Sequence, residues 1–470
     1  AMQTACHERQ AVCVSVKQEQ KTISPPKLFD LTSLQREANR LFGYTAKQTL
    51  DLAQTLYEKK LLTYPRTDSR FLTSDMEKTA PVIVNQAALT VGFIRGNVGI
   101  PADYFGNVID DKKVSDHHAI IPTITIRDFD LSTLPETERN ILTLVCTRLM
   151  CAVHEKHVYE AVTASFECAG YPFTAKGKTV VREGWKAVDR LFRNALKLKD
   201  EDGGGAEAPE ADKALPPISE GQTFENAAAT VTEHFTQPPK PYTEDTLLSA
   251  MEHAGAEDTT DDAERKGLGT PATRAAIIEK LVSSGFIQRK GKQLTPTTDG
   301  INLIAILPDV LTSPKLTAEW ENALTLIAKG EASPADFMRD IEGMAKGLCV
   351  NFSRAADDKK PLFKQEKEVV GICPRCGTPV YEGKKNFYCS NRDCSFTMWK
   401  NDRFFESRKK ALTKPVAAAL LKDGKAKVKG MHSERTGKSF DATVLLADTG
   451  GKYVNYRFEQ KGAKEVTQQA

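Results

Sequence analysis

The chain has 470 residues, which is too long for one hydrophobic core and predicts about three or four domains. Its 40% hydrophobic and 27% charged residues are typical of a globular protein, and no apolar run approaches the roughly 20 residues of a membrane-spanning helix. The net charge of +3 does not by itself indicate nucleic acid, but residues 400–470 carry 16 Lys and Arg against 8 Asp and Glu. Such a basic segment suits phosphate binding, and it is equally typical of a well-solvated surface.

The N-terminal part of the chain predicts a strand followed by two helices. Alternating apolar and polar residues over 11–19 indicate a half-buried strand. Thr32 or Ser33 is expected to cap a helix that ends at Gly43, and Thr45 is expected to cap a second helix. Helix, turn, helix and then a strand are typical of a helix-turn-helix or winged-helix unit.

A tyrosine with basic neighbours follows the second predicted helix. Tyr64 is followed by Pro65, Arg66 and Asp68. A phenol of ordinary pKa, about 10, is a weak nucleophile, and a nearby cation such as Arg66 would assist it. The same guanidinium could stabilise charge on the non-bridging oxygens of a phosphodiester under attack. Taken alone, these residues are more simply explained as a turn with a solvated charge cluster.

Two histidines beside a carboxylate occur further along the chain. Asp116, His117 and His118 lead into the apolar residues 119–121. Histidine can donate a hydrogen bond to a phosphate or move a proton near neutral pH. By itself such a pair is more often a surface feature or half of a metal site.

The middle of the chain predicts a second, β-rich region. A helix is expected over 136–153 and antiparallel strands over 159–178, with a domain boundary near His154. Residues 200–217 are acidic and lack apolar periodicity, which predicts a mobile loop or linker. Strands are expected to resume over 223–235.

The next region predicts two helices and a basic hairpin. The pattern over 242–252 is helical, and Thr270 with Pro271 opens another helix that runs through Leu281. Residues 286–294 are expected to form a hairpin. A helix followed by a basic hairpin is a winged-helix pattern, which fits DNA contact through the helix N-terminus and the wing.

Two pairs of cysteines near the C-terminus have the spacing of a metal site. In a C-x2-C-x12-C-x4-C pattern, they are Cys373, Cys376, Cys389 and Cys394. Four thiolates from two such knuckles hold Zn²⁺ tetrahedrally, which predicts a structural zinc ribbon over 368–400. The other six of the ten cysteines occur singly and are typical of small buried hydrophobes in a reducing cytoplasm.

Aromatic residues surround the predicted zinc site. Phe387, Tyr388, Phe396 and Trp399 could stack on the bases of single-stranded DNA, or they could simply form the small core of the ribbon. After the ribbon, residues 401–470 predict a short helix and several strands in a basic, β-rich domain.

Four sequence motifs, in this order, resemble those of type IA DNA topoisomerases, and they look most like the topoisomerase III branch. They are Phe29–Arg40, Leu61–Met76, Val114–Thr123 and Lys266–Ala275, the last matching G-[IL]-G-T-P-A-T-R-A. The similarity runs from about Pro26 to about Ile327. A tyrosine recombinase, the obvious rival, would normally carry its tyrosine near the C-terminus, after its arginines and histidine.

The resemblance implies a multidomain α+β fold. Winged-helix-like helical domains and an antiparallel β arch would form a type IA topoisomerase core, followed by a zinc ribbon and a small β-rich domain. The expected domains are residues 1–26 (a strand of the β arch), 27–153 (the tyrosine-bearing winged-helix-like domain), 154–236 (the β arch with an acidic loop at 200–217), 237–360 (a helical, winged-helix DNA-binding domain), 368–400 (the zinc ribbon) and 401–470 (the basic β-rich domain).

The resemblance also implies a mechanism. Tyr64 would cleave one DNA strand and become linked to its 5′-phosphate, the other strand would pass through the gap, and the free 3′-hydroxyl would reseal the break without ATP. Arg66 would stabilise the scissile phosphate, His117 would contact a phosphate near the break, and Asp68 would orient Arg66 or the strand end. The residues expected to bind the single-strand backbone are Thr270, Thr273 and Arg274.

In this family a metal-binding domain with a catalytic Glu, a Lys and a D-x-D magnesium site precedes these motifs. No D-x-D followed by strand and helix signals occurs in this sequence, so the Mg²⁺ ligands are expected in an N-terminal domain that the chain lacks. The chain alone is therefore expected to be incomplete for catalysis. The implied partners are single-stranded DNA and either a separate N-terminal catalytic domain or proteins of replication, recombination or plasmid transfer, in the bacterial cytoplasm and away from any membrane.

Two other classes of function fit parts of the sequence. A non-catalytic DNA-binding remnant, or an accessory plasmid-transfer protein, would use the winged helix, the zinc ribbon and the basic C-terminal segment without cleaving DNA. A zinc-dependent hydrolase built on His117 and His118 lacks an H-E-x-x-H pattern or a third nearby ligand. Covalent attachment of DNA to Tyr64 would separate the topoisomerase from the remnant.

Overall fold

The chain forms two compact units, Ala1–Ala356 and Asp357–Ala470. The computed structural model describes residues 2–93, 105–197, 214–258, 267–352, 362, 368–451 and 453–459. Residues 200–213 of the predicted acidic loop and Lys266 of the fourth motif lie outside the described residues. Among the helices that are described, none is both long and apolar enough to cross a membrane.

The first unit contains most of the helices and one large sheet. In chain order its elements are α1 (Met2–Cys6), β1 (Arg9–Ile23), α2 (Leu31–Phe42), α3 (Ala46–Glu58), α4 (Ala80–Val91), α5 (Glu136–Ala152), β2 (His157–Cys168), β3 (Tyr171–Arg182), α6 (Trp185–Ala195), β4 (Thr223–Ala227), α7 (Glu244–His253), α8 (Pro271–Ser283), β5 (Ile287–Lys290), β6 (Gln293–Pro296), α9 (Thr298–Ile306), α10 (Asp309–Thr312), α11 (Lys315–Ala328) and α12 (Pro334–Asn351). Short 3₁₀ turns lie at Ser74–Met76, Phe105–Asn107, Asp111–Lys113, Ile124–Asp128 and Leu131–Thr133.

Helices α2 to α6 pack around one hydrophobic core that supports the tyrosine segment. Its largest fully buried side chains include Phe29, Leu34, Leu56, Leu61 and Phe192. Burying such a side chain contributes about 1.5–3 kcal/mol relative to leaving it exposed. The helix predicted over 136–153 is confirmed as α5, which is buried along most of its length.

Local capping residues set the ends of α2 and α3. Gly43, in the left-handed region at φ +73°, ends α2, which confirms the predicted end of that helix. Thr45 accepts a backbone hydrogen bond in the first turn of α3, which confirms the predicted cap. The predicted cap at Thr32 or Ser33 is wrong, because Asp30 holds that position and accepts the backbone N–H of Ser33 at 2.6 Å. A carboxylate here also interacts favourably with the helix dipole.

The large sheet has the order β3-β2-β1-β4, and every neighbouring pair is antiparallel. The predicted strand over 11–19 is confirmed and is longer, because β1 pairs with β2 along its whole C-terminal part. The β2–β3 hairpin confirms the strands predicted over 159–178. The N-terminal segment thus completes a sheet whose other strands come much later in the chain.

The strand predicted over 223–235 stops early, at Ala227. Its last partner is Arg9, the first residue of β1, and the chain before Arg9 turns into α1. Further strand residues would have no ladder partner, and the alternating pattern continues without pairing. Val231 and Phe235 are accordingly 76% and 77% exposed.

Helices α7 to α12 and the β5–β6 hairpin complete the first unit. The predicted hairpin is confirmed, with its turn at Gly291. Helices α7 and α8 and strand β6 share a small core with the start of α3, formed by Leu248, Ile278, Leu294 and Ala46. This packing attaches the winged-helix-like region to the helix that precedes Tyr64.

The described residues of the second unit form two small sheets and two helices. In chain order its elements are β7 (Val369–Ile372), β8 (Pro379–Glu382), β9 (Asn386–Cys389), β10 (Thr397–Trp399), α13 (Arg403–Glu406), α14 (Lys414–Asp423), β11 (Lys425–His432), β12 (Ser439–Leu446) and β13 (Tyr456–Phe458). The first sheet has the order β10-β9-β8-β7 and the second the order β11-β12-β13.

One continuous core joins the two sheets of the second unit. Phe387 and Phe396 from the cysteine-bearing sheet pack in the same cluster as Phe405, Leu420 and Val444. All five side chains have no exposed surface. The core therefore crosses the boundary predicted between residues 400 and 401, which favours a single folding unit here.

Candidate functional site

The structure brings Tyr64 and His117 together. Their ring centroids are 4.4 Å apart, with the planes at 46°, and Tyr57 of α3 meets Tyr64 edge-on at 5.5 Å. The Tyr64 side chain is half-buried, while His117 is exposed. His118, the second histidine of the pair, instead lies with Nδ1 2.8 Å from the Ala119 carbonyl. A phenol and an exposed imidazole thus share one surface.

The backbone that leads into Tyr64 is not the strand predicted there. Leu62 and Pro122 form only an isolated bridge, flanked by hydrogen bonds from Thr63 N to Ile121 O and from Thr123 N to Leu61 O, both 3.0 Å. Pro122 has no N–H, so a continuous ladder cannot form along this pair. The two segments are held side by side by these few bonds.

Two threonines on either side of Tyr64 fasten its segment to the histidine segment. The hydroxyl of Thr63 donates to Ala119 O at 3.1 Å and accepts from Ile121 N at 3.0 Å. The hydroxyl of Thr67 donates to the carbonyl of His117 at 2.7 Å, and Thr67 is 3% exposed. Sequence reasoning missed both residues, because a threonine in a loop carries no signal of its long-range partner.

Arg66 and Asp68 are both exposed beside this cluster. Within the described residues, neither side chain forms a hydrogen bond or an ion pair. The contact by which Asp68 was expected to orient Arg66 is therefore not seen in this structure. Both groups therefore face solvent next to Tyr64. An exposed guanidinium at this place is available to an anion.

A half-buried ion pair ties the loop after Tyr64 to the start of α2. Arg70 Nε donates to Asp30 Oδ2 at 2.7 Å, and the backbone N–H of Leu31 donates to Thr67 O at 3.0 Å. Burial opposes the charged guanidinium, but the Asp30 carboxylate outweighs it and raises the pKa of Arg70. Arg70 lies within the tyrosine motif Leu61–Met76, and only the tertiary structure reveals its partner.

The predicted backbone-binding residues lie at the start of α8. Thr270 N donates to Thr273 Oγ1 at 2.8 Å, so these two residues cap the helix, and Thr273 is exposed. Arg274, in contrast, is only 3% exposed. Its Nε and Nη2 donate to the carbonyls of Leu268 and Gly269, and its Nη1 donates to Thr32 Oγ1, at 3.0–3.1 Å. In this conformation Arg274 is directed toward protein rather than toward a ligand.

The turn before α8 requires glycine. Gly267 has φ +87°, and a Cβ placed on it would lie 2.4 Å from the carbonyl oxygens of Met251 and Glu252. The backbone of the fourth motif therefore packs directly on the end of α7. Together with the Arg274 contact to Thr32, this places the start of α8 against the N-terminus of α2, next to Asp30.

The four predicted metal ligands converge. Their Sγ atoms all lie within 4.8 Å of one another, in a set formed by Cys373, Cys376, Cys389 and Cys394. Thr378 Oγ1 lies 3.0 Å from Cys389 Sγ, and hydrogen bonds with Thr378 lower the pKa of Cys376 to about 6. Four sulfur donors at this separation fit a tetrahedral ion such as Zn²⁺.

The aromatic residues near these cysteines divide between core and surface. Phe387 and Phe396 have no exposed surface and belong to the core, as the simpler interpretation had it. Tyr388 is half-buried and Trp399 is 40% exposed on the opposite face of the sheet. Tyr381 lies directly across from Tyr388, with ring centroids 6.3 Å apart, so that the outer face carries three aromatic rings.

Comparisons with known proteins agree with this arrangement. The sequence profile of the DNA topoisomerase family matches residues 1–339. DNA topoisomerase 3 of Bacillus subtilis is 38% identical over 403 residues, covering 82% of this chain and 53% of that protein, and DNA topoisomerase 3 of Bacillus licheniformis is 38% identical over 407 residues, covering 83% and 53%. Full-length topoisomerase I from Thermotoga maritima has a similar fold, with a TM-score of 0.53 at 20% identity, over 83% of this chain and 60% of that one.

The chain therefore belongs to the type IA DNA topoisomerase family, and the resemblance and the multidomain α+β fold class predicted from sequence are confirmed. Within this family it is topoisomerase III-like. The chain spans about half the length of the relatives that it matches.

Proposed function

We propose that the chain supplies the nucleophile of a type IA DNA topoisomerase that cleaves, passes and reseals single strands. The observation that carries this proposal is the contact between Tyr64 and His117, which is fixed by Thr63 and Thr67 in a member of this family. The Tyr64 oxygen attacks phosphorus and forms a 5′-phosphotyrosine, and the bond to the 3′-oxygen breaks to release a 3′-hydroxyl. Attack by that hydroxyl on the phosphotyrosine reverses the step, so no ATP is consumed.

The surrounding charges suit the proposed roles. Arg66 is exposed beside Tyr64 and stabilises the non-bridging oxygens as phosphorus becomes five-coordinate. His117 contacts a phosphate near the break, and Asp68 contacts the strand end. Because these contacts go to the backbone rather than to base edges, sequence preference is slight.

The start of α8 is proposed to guide the strand toward Tyr64. Thr270 and Thr273 offer hydroxyls and a helix N-terminus to the backbone. Arg274 is a positioning residue in this proposal, because it is buried and holds the preceding loop against α2.

Two metal ions enter the proposal. A structural Zn²⁺ would be held by the four cysteines, where it would fix the sheet that presents Tyr388 and Trp399 to bases of single-stranded DNA. Mg²⁺ would assist the phosphoryl chemistry, and its ligands are proposed, as the resemblance implies, to lie in the metal-binding domain that precedes these motifs in the family. That N-terminal catalytic domain would act as the partner of this chain in the cytoplasm.

Covalent trapping of DNA tests the proposal. The protein is mixed with a 3′-labelled single-stranded oligonucleotide and Mg²⁺, with and without the N-terminal domain of a topoisomerase III relative, and run on a denaturing gel. We expect a labelled protein band that disappears in Tyr64→Phe. Tyr57→Phe is the matched control, because Tyr57 contacts the Tyr64 ring and is 40% exposed.

The outcomes separate the two classes of function. A band that needs the added domain identifies the chain as the nucleophile-bearing part of a two-part enzyme. A band that persists in Tyr64→Phe would contradict the assignment of the nucleophile. DNA binding without any band under either condition would favour a non-catalytic DNA-binding protein.

A further inference from the structure

Strand β11 carries a row of lysines on its outer face. Lys425, Lys427 and Lys429 are exposed, whereas the residues between them, Ala426 and Val428, are 5% and 8% exposed and face the core of the second unit. Alternate residues of a strand are about 6.8 Å apart, so the three ammonium groups form a regularly spaced line. The strand order β11-β12-β13 places this line on the edge of the sheet.

The end of the lysine row is shaped by a β-bulge. The register shifts between Val428 and Met431, and Gly430 has φ +65° and donates its N–H to Asp441 Oδ1 at 2.8 Å. The extra residue returns Met431 to the core, where it has no exposed surface. Lys410 lies beside Gly430, where a Cβ placed on the glycine would be 3.4 Å from Lys410 Nζ. Lys410 therefore extends the row by a fourth ammonium group.

One acidic side chain, Asp441, lies at the bulge end of this row, where it accepts from Gly430 N, and the charge of the rest is poorly compensated. Lys425 and Lys427 lie opposite Leu445 and Thr443 on β12, neither of which is acidic. Lys425 Nζ approaches Glu459 at 3.4 Å between two exposed side chains, a contact that contributes little in water. Lys427 and Lys429 form no ion pair within the part of the chain that the structure describes.

We propose that these four lysines, the β11 basic edge, bind the sugar–phosphate backbone of single-stranded nucleic acid. The spacing between neighbouring ammonium groups is comparable to the separation of neighbouring phosphates along an extended strand. Contacts between the two release counterions, which favours binding. The identity of the ligand rests on the proposed topoisomerase function, whereas the presence of a backbone-binding edge rests on the geometry of β11.

Lysines on an edge strand also have a simpler explanation. Proteins place charge on exposed strand edges to prevent edge-to-edge association, and that protection works with either sign of charge. Phosphate binding, in contrast, requires positive charge. Reversing the sign of the row therefore separates the two explanations.

The test measures the salt dependence of binding to labelled oligothymidylate. The whole chain carries Tyr64→Phe in every variant and Mg²⁺ is omitted, so cleavage does not contribute and a failure of the topoisomerase chemistry cannot imitate a failure of the edge. The test variant replaces Lys425, Lys427 and Lys429 with Glu, and a second variant replaces them with Gln. The control reverses three exposed lysines elsewhere in the second unit, Lys384, Lys385 and Lys422, which changes the net charge equally.

We expect both edge variants to reduce the slope of log affinity against log salt by about 2, because each lost phosphate contact removes roughly 0.7 from the slope for a single strand. The control should keep most of the slope. An equal loss in the control would show that only net charge matters and would overturn the proposal. Edge protection predicts a different result, namely unchanged binding by the Glu variant together with association of the Gln variant on a sizing column. That result would also overturn the proposal.

Discussion

Tyr64 is held from both sides by hydroxyl groups rather than by regular secondary structure. Thr63 and Thr67 each bond to a carbonyl of the segment that carries His117, at 3.1 and 2.7 Å. Both bonds are short-range and directional, so they fix the distance between the phenol and the imidazole while leaving the surrounding loop open to a ligand. A hydrogen-bond network of this kind positions a reacting group firmly only if every donor and acceptor in it has a partner.

Replacement of Thr67 tests this positioning. Thr67→Val keeps the shape but removes the donor to His117 O, and it leaves that carbonyl without its partner. We expect the rate of covalent complex formation, measured with the partner domain present, to fall roughly 10–100-fold, since small displacements of reacting groups have effects of this size. Thr67→Ser should restore the rate, and oligonucleotide affinity should be unchanged in both. An equal loss in the Ser variant would contradict a role for the hydroxyl.

At the scale of elements, the interpretations from sequence succeed where the deciding contacts are local. The end of α2 at Gly43 and the hairpin turn at Gly291 depend on backbone conformations that glycine favours, and both were predictable. The end of β4 at Ala227 depends on where β1 begins, far away in the chain. The burial of Arg274 similarly depends on α2, so its motif identified the residue but not its surroundings. The convergence of the four cysteines was predictable because their spacing alone encodes it.

Glu244 is the main polar link between α7, α3 and the β5–β6 hairpin. It is 2% exposed, and its carboxylate accepts from Ala46 N at 2.5 Å and from Arg289 Nε at 2.8 Å. We expect Glu244→Ala to lower the local opening free energy of α3 and α7 by about 1–3 kcal/mol, because the buried N–H of Ala46 loses its acceptor and the half-buried Arg289 loses one of its two carboxylate partners. Native-state hydrogen exchange measures this.

Glu279→Ala is the control for that prediction, because Glu279 also pairs with Arg289 but its side chain is 31% exposed. A more exposed pair contributes less, about 0–1 kcal/mol. If the two substitutions had equal effects on the exchange of α3 amides, the link between Glu244 and the N-terminus of α3 would not be what holds these elements together.

At the scale of the whole molecule, the two units depend on different sources of stability. The first has a large helical core, whereas the second combines a smaller core with the cysteine cluster. Because Cys389 lies in strand β9 next to the fully buried Phe387, a metal held there would connect the binding site directly to that core. The binding free energy of a structural zinc ion then contributes to the folding of the unit that contains it.

Removal of the metal should therefore unfold one unit and spare the other. We expect a chelator, or Cys389→Ser, to release one equivalent of zinc and to abolish hydrogen-exchange protection over β7–β13, while the amides of α5 keep theirs. Cys349→Ser is the matched control, because Cys349 is an exposed cysteine of the first unit outside the cluster. Acidification should have the effect of the chelator, since thiolates must lose their protons to bind the ion. Retained protection of β9 without metal would show that the hydrophobic core alone suffices, and lost protection of α5 would show that the two units fold as one.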